Sequence, residues 1–162
     1  MSKKITIYTD GAASGNPGPG GFGTILKSGP HIKKIAKGFR KTTNNRMELL
    51  AVIEGLEAIK VENAEVLVVS DSKYVIDSVV KGWVFNWQKK GFKGKKNPDL
   101  WRRFLDIYKK HNVQFHWVKG HAGHPENEMC DAMAVDASKA KNLPFDEWYE
   151  KNVVNASSKN IF

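Results

Sequence analysis

Apolar and polar residues alternate along the first forty positions and predict three strands in succession. Ile5 and Ile7 share one face of residues 4–10, which is the two-residue period of a strand. Residues 22–27 and 32–39 flank the turn sequence SGPH and predict the two arms of a hairpin. Three consecutive antiparallel strands are therefore expected.

The period then changes to that of helices alternating with strands. Leu49, Val52 and Leu56 recur with helical spacing and predict an amphipathic helix over residues 45–60. The run EVLVVS, residues 65–70, is typical of a strand buried on both faces. Beyond it the pattern predicts a helix, a second helix opened by Asn97 and Pro98, a fifth strand and a last helix, over residues 74–81, 98–110, 113–118 and 125–141.

This order of elements predicts an α/β domain. It implies a mixed five-stranded sheet, with three antiparallel strands then two parallel, and helices on both faces. We expect residues 1–150 to form this domain and residues 151–162, which show no period, to form a flexible C-terminal tail. A chain of 162 residues with one cysteine has no internal disulfide and is long enough to bury a core without one.

Two of the predicted strands end in a hydroxyl residue followed by an aspartate. The sequences ITIYTDG and VLVVSDS place Asp10 and Asp71 there. If these strands are parallel neighbours, both carboxylates emerge at the carboxyl edge of the sheet, where open α/β sheets bind ligands. Each aspartate also has a structural alternative, since Asp10 could begin a turn at Gly11 and Asp71 could cap the next helix.

Two further acids border the buried faces of predicted helices. Glu48 adjoins the apolar face of the first long helix, although Asn45 and Glu48 also fit a capping box. Asp131 adjoins Cys130 on the buried stripe of the last helix, with a merely exposed acid as the alternative. Carboxylates about 4 Å apart repel by roughly 4 kcal/mol per pair at an effective dielectric of about 20. A four-acid cluster therefore needs cations, and oxygen ligands favour Mg²⁺ or Mn²⁺ over zinc.

The glycine-rich run GPGGFG, residues 18–23, formally matches the dinucleotide-binding pattern G-x-G-x-x-G. That pattern requires a helix to follow, whereas the residues from Thr24 onward predict a strand, and the lysine of a P-loop is missing. We therefore expect a glycine-rich turn at residues 20–23. Residues 11–16, beside Asp10, would instead let the backbone approach a sugar-phosphate chain.

The charge of the chain suits a polyanionic partner. Lysine and arginine number 26 against 17 acids, a net charge of +9, which favours nucleic acid or an anionic surface. Residues 81–96, KGWVFNWQKKGFKGKK, carry six lysines and no acid, interleaved with Trp83, Trp87 and Phe92. In a lone amphipathic helix these aromatic residues would belong to the core. In this glycine-containing segment they favour a nucleic-acid handle, with lysines on phosphates and aromatic rings against sugars or bases.

These motifs together resemble type 1 ribonuclease H of the bacterial kind. The segments YTDGAASGNPGPGG, TTNNRMELLAVIEGL, SDSKYVI, GWVFNWQKKG and VKGHAGHPENEMCD occur in the order of that family over about residues 3–141. The resemblance implies a magnesium-dependent endonuclease that cuts the RNA strand of RNA/DNA hybrids by a two-metal-ion mechanism, leaving 5′-phosphate and 3′-hydroxyl ends. It implies a ribonuclease H fold, and as catalytic residues four acidic metal ligands, Asp10, Glu48, Asp71 and Asp131, with a mobile histidine, His121.

The resemblance also implies a set of substrate contacts. Contacts to 2′-hydroxyl groups fall near Gly11, Asn16, Asn44, Asn45 and Glu48; a phosphate pocket for the DNA strand uses Lys41, Thr43 and Asn97; Trp83 and Trp87 line the DNA channel; and Lys73, Lys89 and Lys90 are further binding residues. The family commonly has arginine, glutamine and tryptophan at positions 41, 73 and 92, where this chain has Lys41, Lys73 and Phe92, so affinity and salt dependence stay open.

Three alternatives remain. A DNA nuclease or resolvase on the same fold is disfavoured by the asparagine-rich TTNNRMEL. A non-catalytic hybrid-binding module would be expected to lack one of the four acids. A zinc protein using His121, His124 and Cys130 lacks an obvious fourth ligand. The sequence shows no targeting segment and no membrane-spanning apolar run, so we expect a cytoplasmic monomer with no membrane or protein partner.

Overall fold

The computed structural model describes residues 3–120 and 124–156, and these form a sheet with helices packed against it. The strands are β1 Lys4–Ala13, β2 Gly18–Ser28, β3 His31–Thr42, β4 Glu65–Ser70 and β5 Asn112–Trp117. The helices are α1 Asn44–Glu57, α2 Lys73–Val80, α3 Trp83–Lys89, α4 Pro98–Tyr108, α5 Pro125–Ser138 and α6 Glu147–Tyr149, with a π-helical segment Glu150–Val154 following α6.

The five strands lie in the order β3-β2-β1-β4-β5. The β1–β2 and β2–β3 pairs are antiparallel, whereas β1–β4 and β4–β5 are parallel. The predicted mixed sheet is therefore confirmed. The parallel pairing of β1 and β4 also fulfils the condition under which Asp10 and Asp71 emerge at the same sheet edge.

Helices α1 and α5 cover opposite faces of this sheet. The hydroxyl of Thr24 on β2 donates a hydrogen bond of 2.8 Å to the carbonyl of Ala51 on α1. The next residue back along β2, Gly23, faces the carbonyl of Cys130 on α5. Because successive strand residues point to opposite faces, the two helices must lie on different sides. The core beneath α1 contains Ile7, Phe22, Val52, Trp101 and Phe104.

The glycine-rich run is part of strand β2, so the predicted turn at residues 20–23 is wrong. Glycine is unfavourable in strands, but at these positions a helix packs so closely on β2 that a side chain would not fit. A Cβ on Gly21 would lie 2.5 Å from the carbonyl oxygen of Ala134, and one on Gly23 would lie 2.4 Å from that of Cys130. These glycines therefore let the α5 backbone rest directly on β2.

Two helix starts differ from their predictions. Helix α1 is capped by Thr43, whose side chain accepts from the N–H of Arg46, so Asn45 and Glu48 do not form the alternative capping box. Asn97 precedes α4 in a left-handed conformation with φ of 62° and makes no side-chain cap bond. Its amide instead donates to the hydroxyl of Tyr74 at 3.0 Å.

Two further expectations need correction. Leu67 on β4 is 37% exposed, so that strand is not buried on both faces along its whole length. The start of the predicted tail is folded, because Glu150–Val154 is π-helical. Residues 157–162 lie outside the described part of the chain, and the domain boundary at residue 150 stays a prediction.

A buried ion network attaches the C-terminal segment to the rest of the fold. Arg46 on α1 is 2% exposed and bonds to Asp146 and Asp99, each at a closest distance of 2.7 Å. Thr42 donates a further 2.7 Å bond to Asp146. Since an arginine buried without acidic partners would be strongly destabilising, residues near α6 are held firmly against the start of α1.

Within the described ranges, each helix is too short or too polar to cross a bilayer.

Candidate active site

The parallel strands β1 and β4 separate at their carboxyl ends, and this divergence creates a crevice. Their ladder ends at the pair Tyr8 and Val69. Beyond that point β1 continues along β2 up to the pair Ala13 and Gly20, while β4 stays paired with β5. Asp10 and Asp71 lie just past the point of separation, where open α/β sheets bind their ligands.

Neither aspartate has the structural role that was its alternative. Asp10 lies within β1, opposite Gly23, so the chain does not turn at Gly11. Asp71 follows β4, and the cap of α2 is Ser72, whose hydroxyl accepts from the N–H of Val75 at 3.2 Å. Neither carboxylate is therefore explained by a turn or by a helix cap.

Glu48 reaches this crevice from α1. A Cβ on Gly11 would lie 2.5 Å from the backbone carbonyl carbon of Met47 and 2.6 Å from the amide nitrogen of Glu48. The missing side chain lets α1 approach β1 closely. Carboxylate oxygens of Asp10, Glu48 and Asp71 consequently lie within 4.8 Å of one another, close enough to hold one metal ion.

Asp131 on α5 approaches Asp10 and Asp71 from the opposite face of the sheet. The three aspartates line one cavity at the crevice. It also influences Asp10 directly, because a side-chain hydrogen bond and charge repulsion from Asp131 both raise the pKa of Asp10. The structure therefore brings all four predicted acids together, with three in a tight group and Asp131 beside them.

The protonation behaviour of the cluster reflects burial and mutual repulsion. Burial is the largest cause that raises the pKa of Asp10 to about 7, followed by the charges of Asp71 and Asp131. Burial, and then the charges of Asp10 and Asp71, raise the pKa of Glu48 well above its ordinary value. The N–H of Gly11 opposes both shifts by hydrogen bonding to the carboxylates.

The donor atoms of the cluster fit a hard divalent cation. Oε1 of Glu48 and Oδ1 of Asp71 are buried, and neither has a hydrogen-bond partner among the described residues. Unpartnered buried carboxylate oxygens are costly, and a cation between them would remove that cost. All the ligand atoms offered are oxygens, which is the preference of Mg²⁺ and Mn²⁺.

The alternative zinc site is not supported. The thiol of Cys130 is fully buried and donates to the carbonyl of Tyr8 at 3.3 Å. Burial also raises the pKa of Cys130 to about 12, as for a thiol that packs as a small apolar side chain. His124 is exposed at the start of α5, and His121 lies outside the described residues.

A groove of about 400 Å³ runs from the start of α1 to the C-terminal segment. Of the residues expected to bind substrate, it is lined by Asn16, Thr43, Asn45 and Asn97, while Lys41 is not among its lining residues. Lys95, Lys96, Trp148 and Tyr149 also line it. The two lysines belong to the recognised lysine run, but nothing in the sequence placed the two aromatic residues there.

The asparagines beside this groove are already partly engaged in the fold. Asn44 accepts from the N–H of Ala13, and Asn16 accepts from the N–H of Asn44 at 3.0 Å. These bonds hold the loop after β1 against the start of α1. The amide oxygens are thus used internally, which leaves their N–H₂ groups as donors.

The basic aromatic segment is divided between surface and core. Trp83 is 44% exposed with the ammonium of Lys81 at 5.3 Å from its ring, and Lys89 and Lys90 are exposed. Phe92 belongs to the buried core, so the interpretation of Phe92 as a nucleic-acid contact is wrong. Trp87 is half-buried and packs edge-on against Trp101 at 6.0 Å.

One residue beside the cluster escaped the sequence interpretation. Trp117 is 42% exposed, and its indole N–H donates to the backbone carbonyl of Asp71 at 3.1 Å. The ammonium of Lys73, an expected substrate contact, lies 4.8 Å from the Trp117 ring. Trp117 ends β5 directly opposite Ser70 on β4, so its place beside Asp71 follows from the strand register and not from a sequence motif.

Comparison with known proteins gives one consistent result. The family model for RNase H matches residues 2–139. The ribonuclease H of Desulforamulus reducens is 55% identical over 149 residues, which cover 89% of this chain and 93% of that protein. That of Rippkaea orientalis is 54% identical over 153 residues, covering 91% and 93%.

Solved structures agree with these relatives. The crystal structure of LC9-RNase H1, described as a type 1 RNase H with the type 2 active-site motif, is 30% identical with a TM-score of 0.78, covering 98% of this chain and 86% of that one. LC11-RNase H1, solved in complex with an RNA/DNA hybrid, is 26% identical with a TM-score of 0.62, covering 82% and 95%. The chain therefore belongs to the RNase H family, as a type 1 ribonuclease H of the bacterial kind.

Proposed function

We propose that this chain hydrolyses the RNA strand of RNA/DNA hybrids at the carboxylate cluster, with Mg²⁺ as its metal. The observation that carries the proposal is the group of Asp10, Glu48 and Asp71, whose oxygens lie within 4.8 Å of one another. Membership of the RNase H family supports the substrate class, as does the similarity to a protein solved with an RNA/DNA hybrid.

Asp10, Glu48, Asp71 and Asp131 would hold two divalent ions. When bound, such ions supply an activated water nucleophile and stabilise the developing charge on the phosphate and leaving oxygen. The protein's part is to fix four carboxylates at a sheet edge and to keep them ready to bind cations. The water oxygen bonds to phosphorus as the bond to the 3′ oxygen breaks, so the products carry 5′-phosphate and 3′-hydroxyl ends.

Selectivity for the RNA strand would come from contacts to 2′-hydroxyl groups, which DNA lacks. Asn16 and Asn45 are exposed on one side of the cluster, and Gly11 brings backbone close to Glu48. Asn44 has its oxygen engaged with Ala13, which orients its N–H₂ group. These groups together provide amide donors beside the expected position of the scissile phosphate.

The DNA strand would bind through the groove and the basic segment. Thr43 and Asn97 line the groove with Lys95 and Lys96, which supplies hydroxyl, amide and ammonium donors for a phosphate. Trp83, Trp87, Lys89 and Lys90 would extend this surface along the strand. Lys41 would contribute charge at the end of β3, and Lys73 would approach the RNA strand beside Asp71.

His121 would assist proton transfer or product release. It belongs to the segment between β5 and α5, outside the described residues. Monomeric action in the cytoplasm with no protein partner completes the proposal.

The test compares four labelled substrates: an RNA/DNA hybrid, duplex RNA, duplex DNA and the single strands. Each is incubated with the protein in Mg²⁺ or in excess chelator, beside Asp10→Asn as the inactive variant and Asp106→Asn, at an exposed acid on α4, as its matched control. Cleavage confined to the RNA of the hybrid, dependent on Mg²⁺ and lost only in Asp10→Asn, is expected. Cleavage of the DNA strand, or activity that survives chelation, would contradict the proposal.

A further inference from the structure

We propose that Asn127 is a positioning residue that sets the separation of the diverging strand ends, and thereby the spacing of Asp10, Asp71 and Asp131. This inference rests on the proposed function of the cluster, since it concerns how that cluster is held. It assigns a role to a side chain that the sequence interpretation passed over within VKGHAGHPENEMCD.

Asn127 lies where the β1–β4 ladder stops. Its amide nitrogen donates to the carbonyl of Thr9 on β1 at 3.3 Å and to the carbonyl of Val69 on β4 at 3.1 Å. Backbone pairing between the strands ends at Tyr8 and Val69. The side-chain amide therefore links the two strands across the start of the crevice, where backbone bonds no longer do so.

The two accepting residues are close in sequence to the acids of the cluster. Asp10 follows Thr9 directly, and Asp71 stands two residues after Val69. On α5, Asp131 stands four residues after Asn127, which is one helical turn along the same face. A single side chain thus connects the three backbone segments that carry Asp10, Asp71 and Asp131.

The chemistry of these bonds requires an amide at position 127. Both contacts are donated to carbonyl oxygens, so both N–H bonds of the Nδ2 group are used. The Oδ1 atom is buried and has no hydrogen-bond partner in residues 3–120 and 124–156, so the two donated bonds account for the orientation of the group there. An aspartate of the same size could not donate these bonds when ionised and would add a negative charge beside the cluster.

Cys130 provides a matched control on the same helix. Its thiol donates to the carbonyl of Tyr8, so it also attaches α5 to β1, but within the described part of the chain it makes no hydrogen bond to β4. Removing either side chain weakens the attachment of α5 to the sheet. Only removing Asn127 releases the link between the two strands.

The test measures Mg²⁺ binding without substrate, by calorimetry and by the thermal shift on Mg²⁺ addition, in wild type, Asn127→Ala, Asn127→Asp and Cys130→Ala. Groups that orient metal ligands typically change metal affinity or activity by about 10- to 100-fold. We expect Asn127→Ala to raise the Mg²⁺ concentration for half-saturation about 10-fold, and Asn127→Asp to raise it less, because its added negative charge attracts the cation although the two donated bonds are lost. Cys130→Ala should lower the melting temperature while keeping Mg²⁺ half-saturation within about twofold of wild type.

Hybrid cleavage adds a second readout that separates positioning from general stability. Asn127→Ala should lower kcat at saturating hybrid with KM nearly unchanged, and raised Mg²⁺ should partly restore kcat. If Asn127→Ala does not fold, Asn127→Gln, which keeps the amide on a longer side chain, should fold and still need more Mg²⁺ than wild type. Unchanged Mg²⁺ half-saturation in the Asn127 variants, or an equal change in Cys130→Ala, would overturn the proposal. Failure of the proposed function would be distinguishable, because wild type would then bind Mg²⁺ without cutting the hybrid.

Discussion

Glu48 reaches the aspartates at the sheet edge because Gly11 has no side chain. A Cβ at position 11 would lie 2.6 Å from the amide nitrogen of Glu48 and 2.5 Å from the backbone of Met47. Distances below 3 Å between a Cβ and backbone atoms require the helix or the strand to move. The close approach of β1 and α1 is therefore a geometric condition for the cluster.

Gly11→Ala should displace α1 from β1 and separate Glu48 from Asp10. We expect hybrid cleavage to fall at least about 10-fold, since small misplacements of catalytic groups have large effects on rate, together with weaker Mg²⁺ binding measured by calorimetry. Gly29→Ala is the control, because a Cβ there meets nothing within 4 Å although its φ of +56° makes alanine strained. Equal losses in both variants would show that a general loss of stability, and not the approach of Glu48, lowers the activity.

Asp10→Asn should abolish cleavage and yet stabilise the metal-free protein. Burial and the charges of Asp71 and Asp131 raise the pKa of Asp10 to about 7, which means that its ionised form is unfavourable in the fold. A neutral amide removes that cost. The melting temperature in chelator at pH 8 measures the effect, and a marked fall would show that Asp10 is chiefly a structural residue of β1.

The stability of the metal-free protein should decrease as pH rises. The folded pKa of Asp10, about 7, lies above its ordinary value of 3.8, and that of Glu48 is shifted in the same direction. Between these values the folded state keeps protons that the unfolded chain has released, so raising the pH through this window favours unfolding. For Asp10 the loss accrues as the pH rises from about 4 to its folded pKa of about 7, and the shift of Glu48 adds a loss in the same direction.

Calorimetry in chelator from pH 5 to pH 8 tests whether the stability of the metal-free protein falls as the pH rises. The melting temperature of wild type should fall over this range, by about 2 to 4 °C for each kcal/mol of unfolding free energy lost in a chain of this size. The melting temperature of Asp10→Asn should fall less. Adding Mg²⁺ at pH 8 should restore stability by mass action, and a melting temperature that rises from pH 5 to pH 8 without metal would contradict the account of the cluster.

Lys89 and Lys90 should contribute to affinity through counterion release. Each phosphate contact contributes about 0.9 to the slope of log affinity against log salt for duplex DNA. The double variant Lys89→Ala, Lys90→Ala should therefore reduce the slope for hybrid binding by between one and two, measured by fluorescence anisotropy with Ca²⁺ in place of Mg²⁺. The pair Lys109→Ala, Lys110→Ala, at the end of α4, is the control and should leave the slope unchanged.

Much of the fold could be predicted because its signals are local. Hydrophobic periods predicted the strands and long helices. The condition for Asp10 and Asp71 to meet, that their strands are parallel neighbours, is fulfilled by β1 and β4. The prediction of a turn at Gly21 and Gly23 is wrong because these glycines make room for a helix more than 100 residues later in the chain. The prediction that Phe92 contacts nucleic acid is wrong because composition does not distinguish a buried ring from an exposed one.

The sequence predicted the four acids of the site but not the residues that hold the neighbouring backbone in place. Asp10, Glu48, Asp71 and Asp131 stood out because each followed a strand or bordered a buried face. Asn127 and Trp117 did not, since their roles depend on bonds to the carbonyls of Thr9, Val69 and Asp71. Such bonds depend on tertiary distance, which residue type alone does not reveal.

The most direct test of the central claim uses one hybrid with different labels on its two strands. It is incubated in Mg²⁺ with wild type or with Asp71→Asn, and the ends of the fragments are identified by ligation and phosphatase treatment. We predict that wild type cuts the RNA strand alone, that each downstream fragment begins with a 5′-phosphate, and that Asp71→Asn shows no cleavage. Cleavage of the DNA strand, 3′-phosphate ends on the upstream fragments, or an active Asp71→Asn would contradict metal-dependent hydrolysis at this cluster.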